Sequence, residues 1–156
     1  MSPLRVTSVL VVCEGNHCRS PMAEALLRSG AGPGVEVGSA GLSALEGLPA
    51  DGDAQRLMAE RGLDLSAHRG RQFTPALAMA ADLILVMDER QKRDCEKKAP
   101  RVRGRVFLLG HWQPPESREI PDPYRRGPEA FRRALDQIQL SVGDWLPRVN
   151  AEQRSL

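Results

Sequence analysis

The sequence predicts a three-layer α/β/α domain built on a parallel sheet, and three observations carry that reading. Nearly continuous apolar runs at residues 6–12, 83–87 and 106–109 have the composition of strands buried on both faces. The stretches between them show helical spacing with start and stop signals, so strand and helix alternate along the chain. The chain has 156 residues, 41% of them apolar. That is enough for one domain, residues 1–156, to bury roughly 70% of its unfolded surface, and too little for two.

The first strand is Val6-Thr7-Ser8-Val9-Leu10-Val11-Val12. Pro21 falls in the first turn of a helix whose Met22, Ala25, Leu26 and Ser29 recur at helical spacing until Gly30 stops it. Val35-Glu36-Val37 is a weaker run that suits an edge strand. A second helix is expected from Asp51 or Asp53 through Ala54, Leu57 and Met58 to Gly62. Thr74-Pro75 opens a third helix, Ala76 to Ala81, which feeds the strand at 83–87. The charged stretch from Glu89 to Lys98 reads as an exposed helix ended by Pro100, and Val106 to Leu109 is the fourth strand. Phe131, Leu135, Ile138 and Val142 make a helical stripe between Pro128 and Trp145 that closes the domain. About ten terminal residues are left as a loose tail. Parallel strands joined by helices imply right-handed crossovers and a sheet covered on both faces.

Composition narrows the function. The net charge is only +2, from 22 basic and 20 acidic residues, and aromatics are 4%. Neither a nucleic-acid footprint nor a base-stacking platform is expected. No run reaches the ~18 apolar residues of a membrane helix, so no membrane insertion is expected. The apolar run Val9 to Val12 is too short for a signal peptide. The three cysteines are an odd number with two close together, which fits a reducing cytoplasm better than a secreted disulfide scaffold.

The first strand runs directly into Cys13-Glu14-Gly15-Asn16-His17-Cys18-Arg19-Ser20-Pro21 and then a helix. Such a loop lies at the carboxyl end of a parallel strand and the amino end of a helix, where free N–H groups favour an anion. Gly15 and Asn16 tolerate left-handed backbone, so the loop can curl into a nest. It lacks the Gly-Lys-Ser/Thr ending of a nucleotide phosphate loop. Instead it carries a thiol at one end and a guanidinium six positions on. A helix N-terminus and an arginine both favour thiolate over thiol, and Arg19 can clamp two phosphoryl oxygens. Ser20 can donate a hydrogen bond to the sulfur and stabilise it as a leaving group. In Pro121-Asp122-Pro123, two prolines stiffen a loop leaving the same rim. Asp122 is there the acid for a phosphate ester's leaving oxygen and then the base for water, or else the residue of a simple Asp-Pro turn.

Val12-Cys13-x-Gly15-Asn16-x-Cys18-Arg19-Ser20-Pro21-Met22-Ala23-Glu24-Ala25 resembles the signature of the low-molecular-weight protein tyrosine phosphatases. The likeness continues, in order, through Gly38-Ser39-Ala40-Gly41-Leu42, Leu65 to Gln72, Ala81 to Asp88 and Ile120-Pro121-Asp122-Pro123-Tyr124, and so covers nearly the whole chain. It implies a four-stranded parallel sheet in the order 2-1-3-4 with the phosphate-binding loop after strand 1. It also implies hydrolysis of phosphotyrosine through a phosphocysteine on Cys13, with Arg19 and Asp122 as the other catalytic groups and no cofactor or metal. The loop residues Glu14, Gly15, Asn16, His17, Cys18 and Ser20 match phosphate-binding positions, and Asn16, Ser39 and His68 match positions that brace the loop. His17 and Tyr124 match the substrate slot. Residue by residue, blander readings stand beside these: a capped surface histidine for His68, an exposed loop aromatic for Tyr124, surface ion pairs for Arg71 and Asp88. Gly110-His111-Trp112 resembles bacterial members that act with tyrosine autokinases of exopolysaccharide or capsule systems, which makes such a kinase the expected protein partner.

Departures bear on specificity. His17 stands where tyrosine-specific relatives usually carry isoleucine and phosphoarginine-directed relatives threonine, so arginine phosphatase activity is the nearest rival. Arg125-Arg126 follow Tyr124 where many animal relatives have a second aromatic, which suits acidic groups flanking the phosphorylated residue. Thioredoxin-coupled arsenate reduction needs two downstream cysteines and the chain offers only Cys95. Cys18 is either a redox guard able to close a reversible disulfide with Cys13 or a small buried filler, and Cys95 reads as a peripheral helix position. Cys13, His17 and Cys18 alone suggest a metal, but no second ligand cluster is visible and none is expected.

Overall fold

The computed structural model describes residues 6–150. Its strands are β1 (Ser8–Cys13), β2 (Glu36–Gly41), β3 (Leu83–Val86) and β4 (Val106–Leu108), in one parallel sheet of order β2-β1-β3-β4. The helices are α1 (Arg19–Gly30), α2 (Gly52–Glu60), α3 (Pro75–Met79), α4 (Glu89–Lys98) and α5 (Pro128–Val149).

β1 is central because it is buried on both faces. It pairs with β2 from Ser8↔Glu36 to Cys13↔Gly41 and with β3 from Val9↔Leu83 to Val12↔Val86. The period of two sends Val9, Val11 and Cys13 into one core with α1, α2 and α5, which contribute Met22, Leu57 and Phe131. Leu10 and Val12 enter a second core with Ala78 of α3 and Cys95 of α4. Both cores need apolar side chains, so the strand reads as an unbroken run rather than an alternation.

Local chemistry sets the helix starts. Asp51 caps α2 by accepting from Asp53 N at 2.8 Å, Thr74 caps α3 from Leu77 N, and Asp88 caps α4 from Gln91 N. Asp88 is therefore a cap, and among the described residues it joins no ion pair. α1 has no side-chain cap at Cys18, so its first N–H groups remain available to the loop before it.

The structure moves several expected boundaries. Val6 and Thr7 precede β1, and Met87 and Leu109 lie beyond β3 and β4, although both are fully buried. β2 is an edge strand but runs on through Gly38-Ser39-Ala40-Gly41. α1 begins at Arg19, so Pro21 is its third residue, and α2 ends two residues before Gly62, which has φ +81°. Cys95 is no peripheral position: it is fully buried in the second core, on an otherwise largely exposed helix. Burial, then the charge of Asp94, pushes its thiol up to about 12, so it is unreactive at neutral pH. α5 continues through Pro147 to a buried Val149. Asn150 then joins it to the end of α1, accepting from Gly32 N at 2.9 Å and donating to Gly30 O at 3.0 Å. The expected loose tail thus begins no earlier than this anchor, and residues 151–156 lie outside the described residues.

α5 packs along α1 and covers the first core, with Ile138 fully buried. Ile138→Ala should cost about 2–5 kcal/mol, read as a lower urea midpoint with an unchanged slope.

Candidate active site

The loop from Cys13 to Arg19 is held by its carbonyls. Cys13 O, Glu14 O and Gly15 O accept from Leu42 N, Ser43 N and Leu45 N at 3.0, 2.8 and 3.0 Å, and His17 O accepts from Asp51 N at 3.0 Å. Asn16 O accepts from His68 Nε2 at 2.8 Å. A carbonyl only accepts, so His68 carries its proton on Nε2. With every carbonyl turned outward, the N–H groups from Glu14 to Cys18 donate to no protein acceptor among the described residues. Together with the uncapped start of α1 they form a ring of donors, the geometry that binds anions.

Asn16 sets the curvature. It has φ +52°, and its side chain is consumed on all sides. Nδ2 donates to Ser20 Oγ at 2.8 Å and Ser39 Oγ at 2.9 Å, and Oδ1 accepts from Arg71 N at 2.9 Å. Gly15 is not left-handed; of the two residues expected to bend the loop, only Asn16 does. A Cβ on Gly41 would meet Asn16 N and Glu14 O at 2.8 Å, so the end of β2 must be glycine for the loop to lie against it.

Ser20 Oγ accepts from Asn16 Nδ2 at 2.8 Å, and its own O–H is free to donate to a Cys13 thiolate 3.0 Å away. Ser39 Oγ likewise accepts from Asn16 and donates to Glu24, whose carboxylate also takes Arg28. A chain of hydrogen bonds therefore links Glu24 to the sulfur, its donors diverging from Asn16 Nδ2 toward Ser39 and Glu24 on one side and toward Ser20 and Cys13 on the other. Arg71 Nε adds a bond to Ser39 O at 2.8 Å, in place of the surface ion pair that its charge suggests.

Arg19 is buried, with Nη1 donating to Ile120 O at 2.7 Å and Nη2 lying 3.8 Å from Asp122 Oδ2. Asp122 is half exposed, and its Oδ1 accepts from Tyr124 N at 3.1 Å. Cys13, Arg19, Asp122, His17, Cys18 and Tyr124 line one cavity of about 170 Å³ together with Ser43 and Leu45. His17 meets the Tyr124 ring edge-on, centroids 5.6 Å apart, and Arg125 lies 5.1 Å from that ring's centre. Of the residues expected at the site, Glu14 and Gly15 also line this cavity, while Asn16, Ser20, Ser39 and His68 lie behind it, Asn16 bonded to the other three.

Burial would favour a protonated Glu14. The hydrogen bonds from Arg90 and Ser43, with the charges of Arg90 and Arg19, outweigh it and hold the carboxyl below its ordinary value. Cys18 is pushed the other way: burial first, then the charges of Asp51, Cys13 and Asp122, raise its thiol well above the usual range against the pull of Arg19. It is therefore a protonated, buried thiol.

Sequence reasoning missed Glu24, Arg90, Gln72 and Asp51. Glu24 stands four residues before Arg28 on α1, a spacing that signals a pair. Gln72 fixes the loop after β2 through Ala44 N and Leu42 O. Asp51 lies beside His17 and Cys18, one ligand atom from each falling within 4.8 Å of the others. That supplies the partner whose absence from the sequence pattern argued against a metal.

The family model for low molecular weight phosphotyrosine protein phosphatase matches residues 8–155. The chain belongs to that family. It is 50% identical over 146 residues to the probable low molecular weight protein-tyrosine-phosphatase EpsP of Ralstonia nicotianae, covering 94% of this chain and 98% of that one. Among solved structures it resembles the tyrosine phosphatase Wzb of Escherichia coli K30 in complex with sulphate, with a TM-score of 0.87 and 42% identity over 92% of this chain and 99% of that one. It also resembles the YwlE arginine phosphatase of Geobacillus stearothermophilus, with a TM-score of 0.88 and 32% identity over 96% of each chain.

Arg90→Ala should unmask the Glu14 carboxylate at the cavity mouth. The carboxyl now titrates below its ordinary value, so losing Arg90 moves its midpoint upward, measurable by carbon-detected NMR. An unpaired anion there repels a phosphoryl dianion. KM for an aryl phosphate should rise several-fold near neutral pH and recover as acid protonates Glu14, and Glu14→Gln in the same chain should restore it.

Proposed function

We propose that this chain is a cysteine-dependent protein tyrosine phosphatase with Cys13 as nucleophile, Arg19 as phosphoryl clamp and Asp122 as general acid and base. The observation that carries the reading is the Ser20 hydroxyl directed at Cys13 Sγ from 3.0 Å, inside a loop that turns its N–H groups inward. The sulfur is thereby supported both as an attacking thiolate and as a leaving group.

The steps follow from the positions. The phosphate's equatorial oxygens are taken by the loop N–H groups and the Arg19 guanidinium, which places phosphorus over Cys13. Sulfur attacks, the S–P bond forms and the P–O bond to the phenol breaks, while Asp122 gives its proton to the leaving oxygen. Water then attacks phosphorus from the vacated side. Asp122 takes its proton, the S–P bond breaks, inorganic phosphate leaves, and the thiolate returns to the Ser20 hydroxyl. Glu14, Gly15, Asn16, His17, Cys18, Ser39 and His68 act through the loop's shape, and His17 and Tyr124 form the slot walls.

The physiological substrate we assign is a tyrosine autokinase of a polysaccharide export system, dephosphorylated in the cytoplasm. Supporting this are the Gly110-His111-Trp112 resemblance, the similarity to EpsP and Wzb, and an odd cysteine count suited to a reducing compartment. Among the described residues no helix is long and apolar enough to cross a membrane. We read the chain as one domain over 1–156. Arginine phosphatase activity is the second reading, favoured by the position of His17 in the slot and by the YwlE similarity.

Cys13→Ser should abolish aryl-phosphate turnover in excess chelator, whereas the unaltered enzyme keeps its rate. Asp122→Ala should slow phosphotyrosine-peptide hydrolysis by about 10²–10⁴-fold, with a smaller effect on esters whose leaving group needs no proton. A rate comparison on matched phosphotyrosine and phosphoarginine peptides should favour phosphotyrosine; the reverse order would give the second reading precedence.

A further inference from the structure

We propose that His17, Cys18 and Asp51 form a binding site for a borderline-soft divalent cation of the zinc class, whose occupation inhibits the adjacent Cys13 site. One ligand atom from each residue lies within 4.8 Å of the other two. The ligands sit on short, fixed segments: His17 and Cys18 are neighbours in the phosphate loop, and Asp51 is tied to that loop by its own N–H on His17 O at 3.0 Å. Thiolate, imidazole and carboxylate, with water completing the set, are donors that zinc takes, whereas magnesium and calcium want oxygen alone.

Two observations point the groups at a ligand. Neither nitrogen of His17 has a hydrogen-bond partner among the described residues: Nδ1 is buried without one, and Nε2 lies 3.6 Å from Asp51 Oδ2, beyond bonding reach. Asp51 divides its oxygens, Oδ1 accepting from Asp53 N as the α2 cap while Oδ2 faces the histidine. An imidazole with no hydrogen bond among the described residues, its Nε2 only at ion-pair distance from Asp51 Oδ2, thus converges with that carboxylate beside a buried thiol.

Zinc binds cysteine as thiolate, so binding must expel the Cys18 proton. A sulfur–metal bond forms, the S–H bond breaks, the proton leaves to water, and no electron is transferred. Asp51 among the ligands and Asp122 on the shared cavity supply negative charge that favours a dication, against Arg19. His17 and Cys18 also line the Cys13 cavity. A cation on them places its charge beside the nucleophile. This inhibitory consequence rests on the phosphatase reading; the binding does not.

The test titrates cobalt(II) into the full chain carrying Cys13→Ser, so that the nucleophile cannot serve as a ligand, and then competes with zinc. A near-ultraviolet thiolate-to-cobalt band is expected at one equivalent, displaced by zinc and abolished by adding Cys18→Ser. Asp51→Asn should weaken binding by about tenfold or more while asparagine keeps the α2 cap, with thermal melts verifying each fold. In the Cys13-intact chain, zinc should inhibit aryl-phosphate turnover, chelator should reverse it, and Asp51→Asn should desensitise by a similar factor relative to its own rate. No band, a band that survives Cys18→Ser, or zinc sensitivity indifferent to Asp51→Asn would overturn the site. The last outcome would mean that zinc acts at Cys13 alone. Absence of turnover in the unaltered chain would overturn the phosphatase reading and leave the cobalt titration to decide the site.

Discussion

Asn16 is a left-handed, almost fully buried residue with φ +52°, and such a backbone is uphill for any residue with a Cβ unless its surroundings over-determine it. Here they do: Ser20, Ser39, Arg71 and His68 consume its amide, its side-chain carbonyl and its backbone carbonyl. Each contact adds a consequence. The His68 bond turns the Asn16 carbonyl out, so neighbouring N–H groups point in. The bond to Ser20 occupies an acceptor position of that hydroxyl and keeps its proton free for a Cys13 thiolate. The bond to Ser39 ties the loop to β2 and, through Ser39, to Glu24 on α1. One strained residue thereby couples the sheet edge, the helix start and the nucleophile.

That arrangement accounts for a near-neutral protein that recognises a dianion. The net charge of +2 says nothing of a phosphate site because the positive character is local: a ring of N–H dipoles and one buried guanidinium. Nearby charges are balanced pairwise, Glu14 by Arg90 and Glu24 by Arg28. The Glu14 pair faces solvent and adds little to stability; its importance lies in keeping a carboxylate beside the cavity from repelling the substrate. Arg19 is different. Its buried guanidinium is oriented by Ile120 O at 2.7 Å, which frees the remaining N–H groups to point along the cavity toward a phosphoryl group.

Much of this was legible in the order of residues, and what was not has identifiable causes. β1, the phosphate loop and α1 are contiguous, so the thiol, the guanidinium and the serine could be read from one stretch. The stripe of Phe131, Leu135, Ile138 and Val142 revealed α5 because burial on one helical face leaves a periodic signature. β2 was read short because its second half, Gly38-Ser39-Ala40-Gly41, is small rather than apolar. A Cβ on Gly41 would strike the loop backbone, at 2.8 Å from Asn16 N and Glu14 O, while one on Gly38 would meet only the movable tip of Arg71. Close approach, not burial, selected Gly41, and hydrophobic pattern is blind to it. Cys95 was misplaced because α4 is largely charged and its two buried positions, Gln91 and Cys95, include only one apolar side chain. The Glu24–Ser39 and Asp51–His17–Cys18 associations depend on loops that bring distant side chains together, which spacing does not encode. Tyr124 was reachable only through a family likeness, whereas Asp122 could be argued from its proline-stiffened loop at the rim that carries Cys13, a local pattern that a simple Asp-Pro turn shares.

The proposed catalysis depends on Cys13 carrying the phosphoryl group. Rapid quenching of the Asp122→Ala chain with p-nitrophenyl phosphate, whose leaving group departs without a proton donor, should trap the intermediate because the base for its hydrolysis is gone. Intact-mass and peptide mass spectrometry should then find one phosphoryl group, on Cys13. Turnover without any phosphorylated cysteine, or with the phosphoryl group on another residue, would contradict the account.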